Sequence, residues 1–379
     1  MATITFFPLG NADSSLVEFA DGRLMLIDYF KGKDHEDEED KRICLPDVLN
    51  SVLEDKDRDY IDVVAFTHSD SDHVAGAEDF FWLEHAEKYQ GDDRIKINDI
   101  WVPACYILEE GLKSSARIIR QEARHRLKEG KGIRVFSQPN ALDKWFQDNS
   151  INPEDRAHLI TTAGSCAPDF SKYYGQAEIF IHAPFAFQVD GEEIDQNKAS
   201  LVFHITFYEG DISSRAFFGA DTTYDVWENI VYKTMEKKRL ERLTWDIFKL
   251  SHHCSYKALS DDKGTDKTEP VEDLQFLFDQ GQKGCYLISS SKPIPSEDTD
   301  QPPHKQAASY YKDVSKDKGD EKNFRVTMET PSIENPKPIL IVISSFGSSI
   351  KGDEKKSALM PSGYTGGKEV SHIYGAGFA

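Results

Sequence analysis

Long apolar runs are missing from this 379-residue chain. No stretch approaches the roughly 20 residues that a membrane-spanning helix needs. The first residues lack the charged-then-apolar pattern of a secretory leader. Cysteine is scarce: Cys44, Cys105, Cys166, Cys254 and Cys285 are odd in number and without paired spacing. That excludes a disulfide framework and points to reduced thiols in a cytoplasmic protein. Positive charge is also short, with 45 Lys and Arg against 66 Asp and Glu and a formal net charge of −21. Such a chain repels nucleic acid at long range, which counts against a non-specific DNA-binding module. It does not exclude a nuclease, because bound metal ions contribute to the field at a site. What is present, 39% hydrophobic residues over this length, can bury a large core as one big domain or two ordinary ones.

The chain is organised around residues 61–76. An apolar strand pattern, Ile61 to Phe66, runs into His68-Ser69-Asp70-Ser71-Asp72-His73. Four side chains able to bind metal fall within six residues, where a strand stops and a helix should begin. A rigid strand fixes the start of such a loop and lets its side chains aim at one point. Imidazole and carboxylate together suit a divalent metal, and a metal with an open position lowers the pKa of water toward neutrality. The plainer reading is an Asp/Ser-rich turn with a helix cap. Two histidines five apart with two interleaved carboxylates weigh against it.

Two further strand ends carry similar chemistry. Ser214 to Phe218 ends in Gly219-Ala220-Asp221, and Trp245 to Leu250 delivers Ser251-His252-His253-Cys254-Ser255. Near the start, Thr3 to Phe7 precedes a turn at 10–15. Leu16 to Phe19 and Arg23 to Tyr29 then form a hairpin through Asp21-Gly22. Helices are expected over 45–53, 77–89, 109–129, 140–149, 225–239 and 304–311. Phe80, Phe81 and Trp82 read as core. Arg117, Arg120 and Arg124 lie in the most basic stretch of the chain, which reads equally as a solvated face or as a phosphate-binding stripe. Insertions are expected near 31–42, 104–131 and 256–270.

His68-x-Asp70-x-Asp72-His73 resembles the His-x-His-x-Asp-His signature of the metallo-β-lactamase superfamily, with Asp70 in place of its second histidine. That variant is similar to the soluble hydrolase domain of ComEC-type competence proteins. Asn11-Ala12-Asp13-Ser14 resembles the Gln-Gly-Asp-Ser loop of that family, and Leu26-Ile27-Asp28 its first Asp motif. Asn197-x-x-Ser200-Leu201-Val202 followed by Gly219-Ala220-Asp221 continues the likeness. His252-His253-Cys254-Ser255 resembles His-His-Gly-Ser, with Cys254 for glycine. If that glycine takes a positive φ, the loop here must be rearranged.

The resemblance implies a four-layer αββα sandwich over residues 1–346, followed by a Gly/Ser/Lys-rich tail over 347–379. It implies one or two divalent ions, Mn2+ or Zn2+ with Mg2+ as a further choice, at an edge where loops of both sheets meet. His68 and Asp70 match the first metal position, and Asp72 and His73 the second. Asp221 matches the carboxylate between them. One of His252 and His253 matches the last ligand; adjacent side chains in an extended segment point opposite ways, and His252 is preferred. Asp72, His252 and His253 would do the proton and nucleophile work. Asp28, Asn197 and Ser200 would support the ligands from outside. A further histidine is expected before Asp221; His158, His182 and His204 fall in that interval without a matching pattern, and His182 is the better candidate. The carboxylate Asp70 shifts metal preference toward manganese or magnesium.

The activity so implied is metal-dependent hydrolysis of phosphodiester bonds, first of all by a DNA nuclease acting on a nucleic acid or nucleotide substrate. The alternatives are a small-molecule hydrolase, such as a cyclic-nucleotide phosphodiesterase or lactonase, and a degenerate module with a structural metal. Free-standing proteins that resemble this domain also imply a protein partner encoded in the same operon, and the lack of long apolar runs implies no membrane.

Overall fold

The computed structural model describes residues 1–170, 177–190 and 195–352. Its strands are β1 (Ala2–Phe6), β2 (Ser15–Glu18), β3 (Leu24–Ile27), β4 (Tyr60–Ala65), β5 (Lys96–Pro103), β6 (Ile133–Phe136) and β7 (Ile160–Thr161). They continue as β8 (Ala177–Ala183), β9 (Val202–Glu209), β10 (Ile212–Phe218), β11 (Trp245–Lys249), β12 (Gly281–Ser289), β13 (Phe324–Val326), β14 (Ile339–Ser344) and β15 (Gly347–Ile350). One sheet has nine strands in the order β15-β14-β1-β2-β3-β4-β5-β6-β7, and the other has six, β13-β12-β11-β10-β9-β8. From β3 to β7 all pairings are parallel, as they are from β10 to β13.

The layering follows from strands that are apolar on both faces, as parallel strands covered on both sides must be. In the β4 region Val63 and Ala65 enter the core between the sheets, with Ile4, Phe6, Phe203 and Phe218. Val64 and Phe66 enter the core under the helices Leu45–Glu54, Ser114–Glu129 and Asn140–Asp148. On the other sheet Phe217, Phe248 and Leu287 pack against Trp227, Ile230, Leu277 and Tyr311 of a second helical layer. This is the expected four-layer αββα sandwich. Each large apolar side chain so buried contributes roughly 1.5–3 kcal/mol, enough in sum to hold together a chain with much like-charge repulsion. The hairpin at 344–347 adds β15 to the first sheet, so the sheet runs four residues past the boundary expected at 346. The expected tail beyond 352 lies outside the described residues. The five cysteines are free. Among the described residues no helix is long and apolar enough to cross a membrane.

The helix expected over 77–89 is cut to Ala77–Phe80. Gly76 enters it with left-handed backbone (φ 85), and Phe81 leaves it extended. The cause is tertiary. The Glu122 carboxylate accepts the backbone N–H groups of Glu84 (3.0 Å) and His85 (2.9 Å), so these donors are satisfied outside a helix. Phe80 and Phe81 pack on Tyr29 as core.

Glu122 also accepts from His85 Nδ1 (2.8 Å) and from Arg126 Nε (2.7 Å), and it is fully buried. Burial pushes its pKa up, but His85, Arg126 and the backbone donor outweigh that and hold it at about 2. A depressed carboxylate contributes stability that is complete above its ordinary value of 4.5 and lost as pH falls toward about 2. Glu122→Ala is therefore expected to destabilise the fold by about 3 kcal/mol, because it removes the close partner of the buried Arg126 charge and leaves it only Glu84 at 3.6 Å. Urea unfolding at neutral pH measures the loss, and a repeat between pH 5 and pH 2 should show a flatter acid limb in Glu122→Gln.

Candidate metal centre

Parallel strands bring their C-terminal ends to one edge, where ligands characteristically bind in α/β sheets. Asp28 follows β3, residues 67–73 follow β4, Asp221 follows β10, and His252 and His253 follow β11. The connection between β1 and β2 adds Asp13. Gly219 permits the close approach of two of these ends. A Cβ there would run into the Ser251 hydroxyl and the Trp227 ring.

Asp13, His73, Asp221 and His253 are all buried, and one ligand atom of each lies within 4.8 Å of the others. His73 Nε2 is 3.4 Å from Asp221 Oδ1 and 3.9 Å from Asp13 Oδ2. His253 Nε2 is 3.0 Å from Asp72 Oδ2 and 3.4 Å from Asp221 Oδ2. His68 Nε2 is 4.0 Å from the same Asp221 Oδ2 and 3.7 Å from Asp70 Oδ2, and its ring centroid is 3.9 Å from that of His73. Asp221 thus stands against three imidazoles, His68, His73 and His253, with Asp13, Asp70 and Asp72 around them.

The hydrogen bonds behind the rings fix their tautomers. Asp28 Oδ2 accepts from His73 Nδ1 (2.8 Å) and from the Thr67 hydroxyl (2.7 Å). With the Thr67 proton so engaged, His68 Nδ1 donates to that hydroxyl (3.1 Å). His253 Nδ1 donates to the Ser290 carbonyl (2.8 Å). All three rings therefore present Nε2 to the centre, the arrangement in which an outer hydrogen bond orients a metal ligand. Asp28 itself is held in a left-handed backbone conformation (φ 57) and receives the Thr67 N–H at 2.7 Å. Its expected supporting position is where the geometry places it.

The electrostatics fit a cation. Burial and the neighbouring His73 keep the His68 pKa well below its ordinary value, leaving its nitrogen bare. Burial also opposes charge on His73, but Asp221 and Asp28 outweigh it and hold that pKa well above the ordinary one. His253 behaves likewise: Asp221 and Asp72 overcome burial and raise it to about 10. Protons and metal would compete for these two nitrogens, so loading a metal releases protons. Asp13 Oδ1, His68 Nε2, His73 Nε2 and Asp221 Oδ1 are buried without a hydrogen-bond partner. Four orphaned donors at one point are costly unless something satisfies them, and imidazole plus carboxylate is a donor set for a divalent ion.

His68, Asp70, Asp72, His73 and Asp221 are thus brought together as expected, but His252 is not. His253 joins the cluster in its place. His252 lies beside it with ring centroids 6.3 Å apart and its Nδ1 buried without a partner. The backbone explains the exchange. His252, His253 and Cys254 are all left-handed (φ 50, 52 and 64), so the alternation assumed for an extended segment does not apply. Cys254 adopts the glycine-like conformation rather than rearranging the loop to avoid it. The strain, of order 1–3 kcal/mol per residue, is offset by bonds from His252 N to the Ala220 carbonyl (3.0 Å) and from His304 N to the Cys254 carbonyl (3.1 Å).

His182 does not supply the further histidine: its Nε2 lies 2.8 Å from His204 Nδ1, and both rings pack on Phe217 in the second helical core. His158 offers its carbonyl to Arg134 in a turn. Among the described residues no hydrogen bond or ion pair joins Asn197 or Ser200 to the centre, and the Asn197 side-chain oxygen is buried without a partner. Ser200 bonds the Gln196 carbonyl (3.0 Å), and it is Gln196 that reaches the metal loop, accepting from the Ser69 hydroxyl at 2.6 Å. The expected phosphate stripe is largely tied down. Arg120 donates to the Glu109 carbonyl and pairs with Glu110, and Arg124 donates to Ile107 O (2.7 Å) and Glu110 (2.7 Å). Arg117 is exposed.

Two members had no separate role in the sequence reading. Asp13 was visible only as part of a loop likeness. Lys249, buried, forms an ion pair with Asp13 Oδ2. A lysine inside a strand carries no local signal of such a partner.

No family model and no curated protein matches the chain. Among solved structures, unliganded yeast PDE1 overlaps 86% of this chain and 97% of its own, with 10% identity and a TM-score of 0.43. A long form of yeast RNase Z overlaps 79% of this chain and 39% of its own, with 13% identity and a TM-score of 0.31. At these scores neither overlap bears on function. Fold and site together define an αββα sandwich with a buried Asp/His centre suited to divalent metal.

Proposed function

We propose that the protein is a metal-dependent phosphodiesterase of the metallo-β-lactamase type. The observation that carries this reading is the buried Asp221 standing against the Nε2 atoms of three imidazoles at the meeting edge of two sheets. A divalent ion bound there supplies charge that acidifies water and draws off negative charge developing on a phosphoryl group. The protein's own groups do the rest. His68, His73 and His253 present Nε2, and Asp13, Asp72 and Asp221 neutralise the ions. Asp70 and Asp72, 45% and 32% exposed, are the members that reach solvent. We assign proton transfer to or from the leaving group to His252, whose ring lies 6.3 Å from that of His253 and whose Nδ1 is unpartnered.

A DNA substrate follows from the likeness of motifs, and a small phosphodiester is the second reading. The second is favoured by a specific observation: Arg120 and Arg124 are engaged by Glu110 and by backbone carbonyls, which leaves little of the basic stretch for a polymer backbone. The deciding experiment strips the protein with chelator, restores Mn2+, Mg2+ or Zn2+, and offers bis-p-nitrophenyl phosphate, single-stranded DNA, plasmid, RNA and a lactone. Phosphodiester cleavage restored by metal is expected, fastest with manganese because of Asp70. Turnover of the lactone alone would overturn the assignment. Cleavage of the small ester but of no polymer would remove the nuclease reading.

A further inference from the structure

A cavity of about 230 Å3 opens on the outer side of the six-stranded sheet, between β8 and the helix Tyr224–Glu236. None of its lining residues belongs to the Asp/His centre. Its inner wall is apolar, with Phe180, Phe185 and Ile230, and its polar wall is His182. Phe185 stacks on Phe187 (centroids 5.6 Å apart, planes at 5°), and Phe187 is 58% exposed. Lys233, Lys237 and Arg239 also line it.

The imidazole has a determined role. Burial drives the His182 pKa down to about 3 and the His204 pKa well below its ordinary value, so both rings are neutral and carry one proton each. The backbone of Arg242 favours the protonated form of His204, as an accepting carbonyl does, and we assign the His204 proton to that side. Its Nδ1 must then accept from His182 Nε2 at 2.8 Å. What remains on His182 is Nδ1, an acceptor only, on a ring that forms the cavity wall. A ligand there needs an N–H or O–H donor.

The charge selects the rest of the ligand. Three cations gather on one cavity in a chain of net charge −21. Ile230, Lys233, Thr234 and Lys237 recur at helical spacing, so both lysines lie on the face turned to the cavity. Lys233 pairs with exposed Glu236 at 3.2 Å, and Arg239 gives one N–H to the Gly164 carbonyl (2.8 Å). Among the described residues Lys237 has no ion pair. The helix C-terminus nearby repels an anion, and three cations outweigh that end. The volume is below the roughly 300 Å3 where drug-sized sites begin, so it takes one flat ring system and not a polymer.

We propose that this cavity binds a nucleoside monophosphate, with the base against Phe185, a base N–H donated to His182 Nδ1, and the phosphate held by Lys233, Lys237 and Arg239. The site does not depend on the phosphodiesterase reading, and its test needs no turnover. Adenosine 5′-monophosphate is titrated calorimetrically into the full chain, stripped of metal so that the Asp/His centre cannot hold the phosphate. One AMP per chain is expected. Lys233→Glu/Lys237→Glu and His182→Phe should each weaken it by roughly tenfold or more, and adenosine and inorganic phosphate should each bind less well than AMP. Asp221→Ala should bind AMP as the wild type does. The lysines are surface residues, so the first variant tests the site even if His182→Phe does not fold. Absence of AMP binding at about 1 mM, binding unchanged in Lys233→Glu/Lys237→Glu, or binding lost in Asp221→Ala would overturn the proposal. The last outcome would place the nucleotide at the metal centre.

Discussion

Asp221→Ala is expected to lose hydrolysis by more than about 10^3-fold, beyond the 10–100-fold typical when only an outer contact to a ligand is removed. It should lose bound metal with it. Asp221 lies against all three imidazoles: Oδ1 lies 3.4 Å from His73 Nε2, and Oδ2 lies 3.4 Å from His253 Nε2 and 4.0 Å from His68 Nε2. Its carboxyl is held well below the ordinary range, because His253 and His73 outweigh the burial that opposes its charge. Without it the rings lose their counter-charge, and a metal held by them would lose a carboxylate ligand. Elemental analysis after dialysis against manganese or zinc reads the metal directly. Asp221→Asn keeps the shape and removes the charge, so a normal melting curve with empty metal sites separates ligand loss from misfolding. Full metal content and near wild-type turnover in Asp221→Ala would dismantle the centre described here.

His253→Ala should fall nearly as far, whereas His252→Ala should keep its metal and lose rate. The two residues are neighbours of the same type, so the comparison isolates geometry from chemistry. His253 presents Nε2 to Asp72 and Asp221 while its Nδ1 is fastened to Ser290. His252 has no such outer bond, and its Nδ1 is unpartnered. A loss of about 10^2–10^4-fold in rate, typical of a missing proton-transfer group, is expected for His252→Ala. Metal stoichiometry near that of the wild type should accompany it. Metal lost from His252→Ala and retained in His253→Ala would reverse the assignment.

Much of this site is written locally. His68, Asp70, Asp72 and His73 sit within six residues after a strand, and one rigid element positions them all. Asp28 is at the end of β3, beside β4 in the same sheet with Ile27 opposite Ala65, so its place behind His73 follows from strand pairing. The basic stretch shows the limit of such reading. Its composition is that of a phosphate-binding face, but Arg120 and Arg124 fold back on Glu109, Ile107 and Glu110. Composition counts charges and says nothing of which carbonyls lie within reach.

The chain by itself determined most of the strands and the strand ends that bear imidazole and carboxylate. These depend on periodicity and on neighbours close in sequence. The four layers were implied by the resemblance of its motifs, and the short strands β7, β13 and β15 carried no signal. Tertiary structure alone decided that His253 rather than His252 enters the centre, because the choice is made by the Ser290 carbonyl, 37 residues away, and by three successive left-handed residues. It alone brought Lys249 to Asp13 across 236 residues. It alone ended the helix after Phe80, where Glu122 takes the N–H groups that a longer helix would have used. In each case a buried polar group had to find a partner, and the partner came from a distant strand end, loop or helix whose position no local pattern encodes.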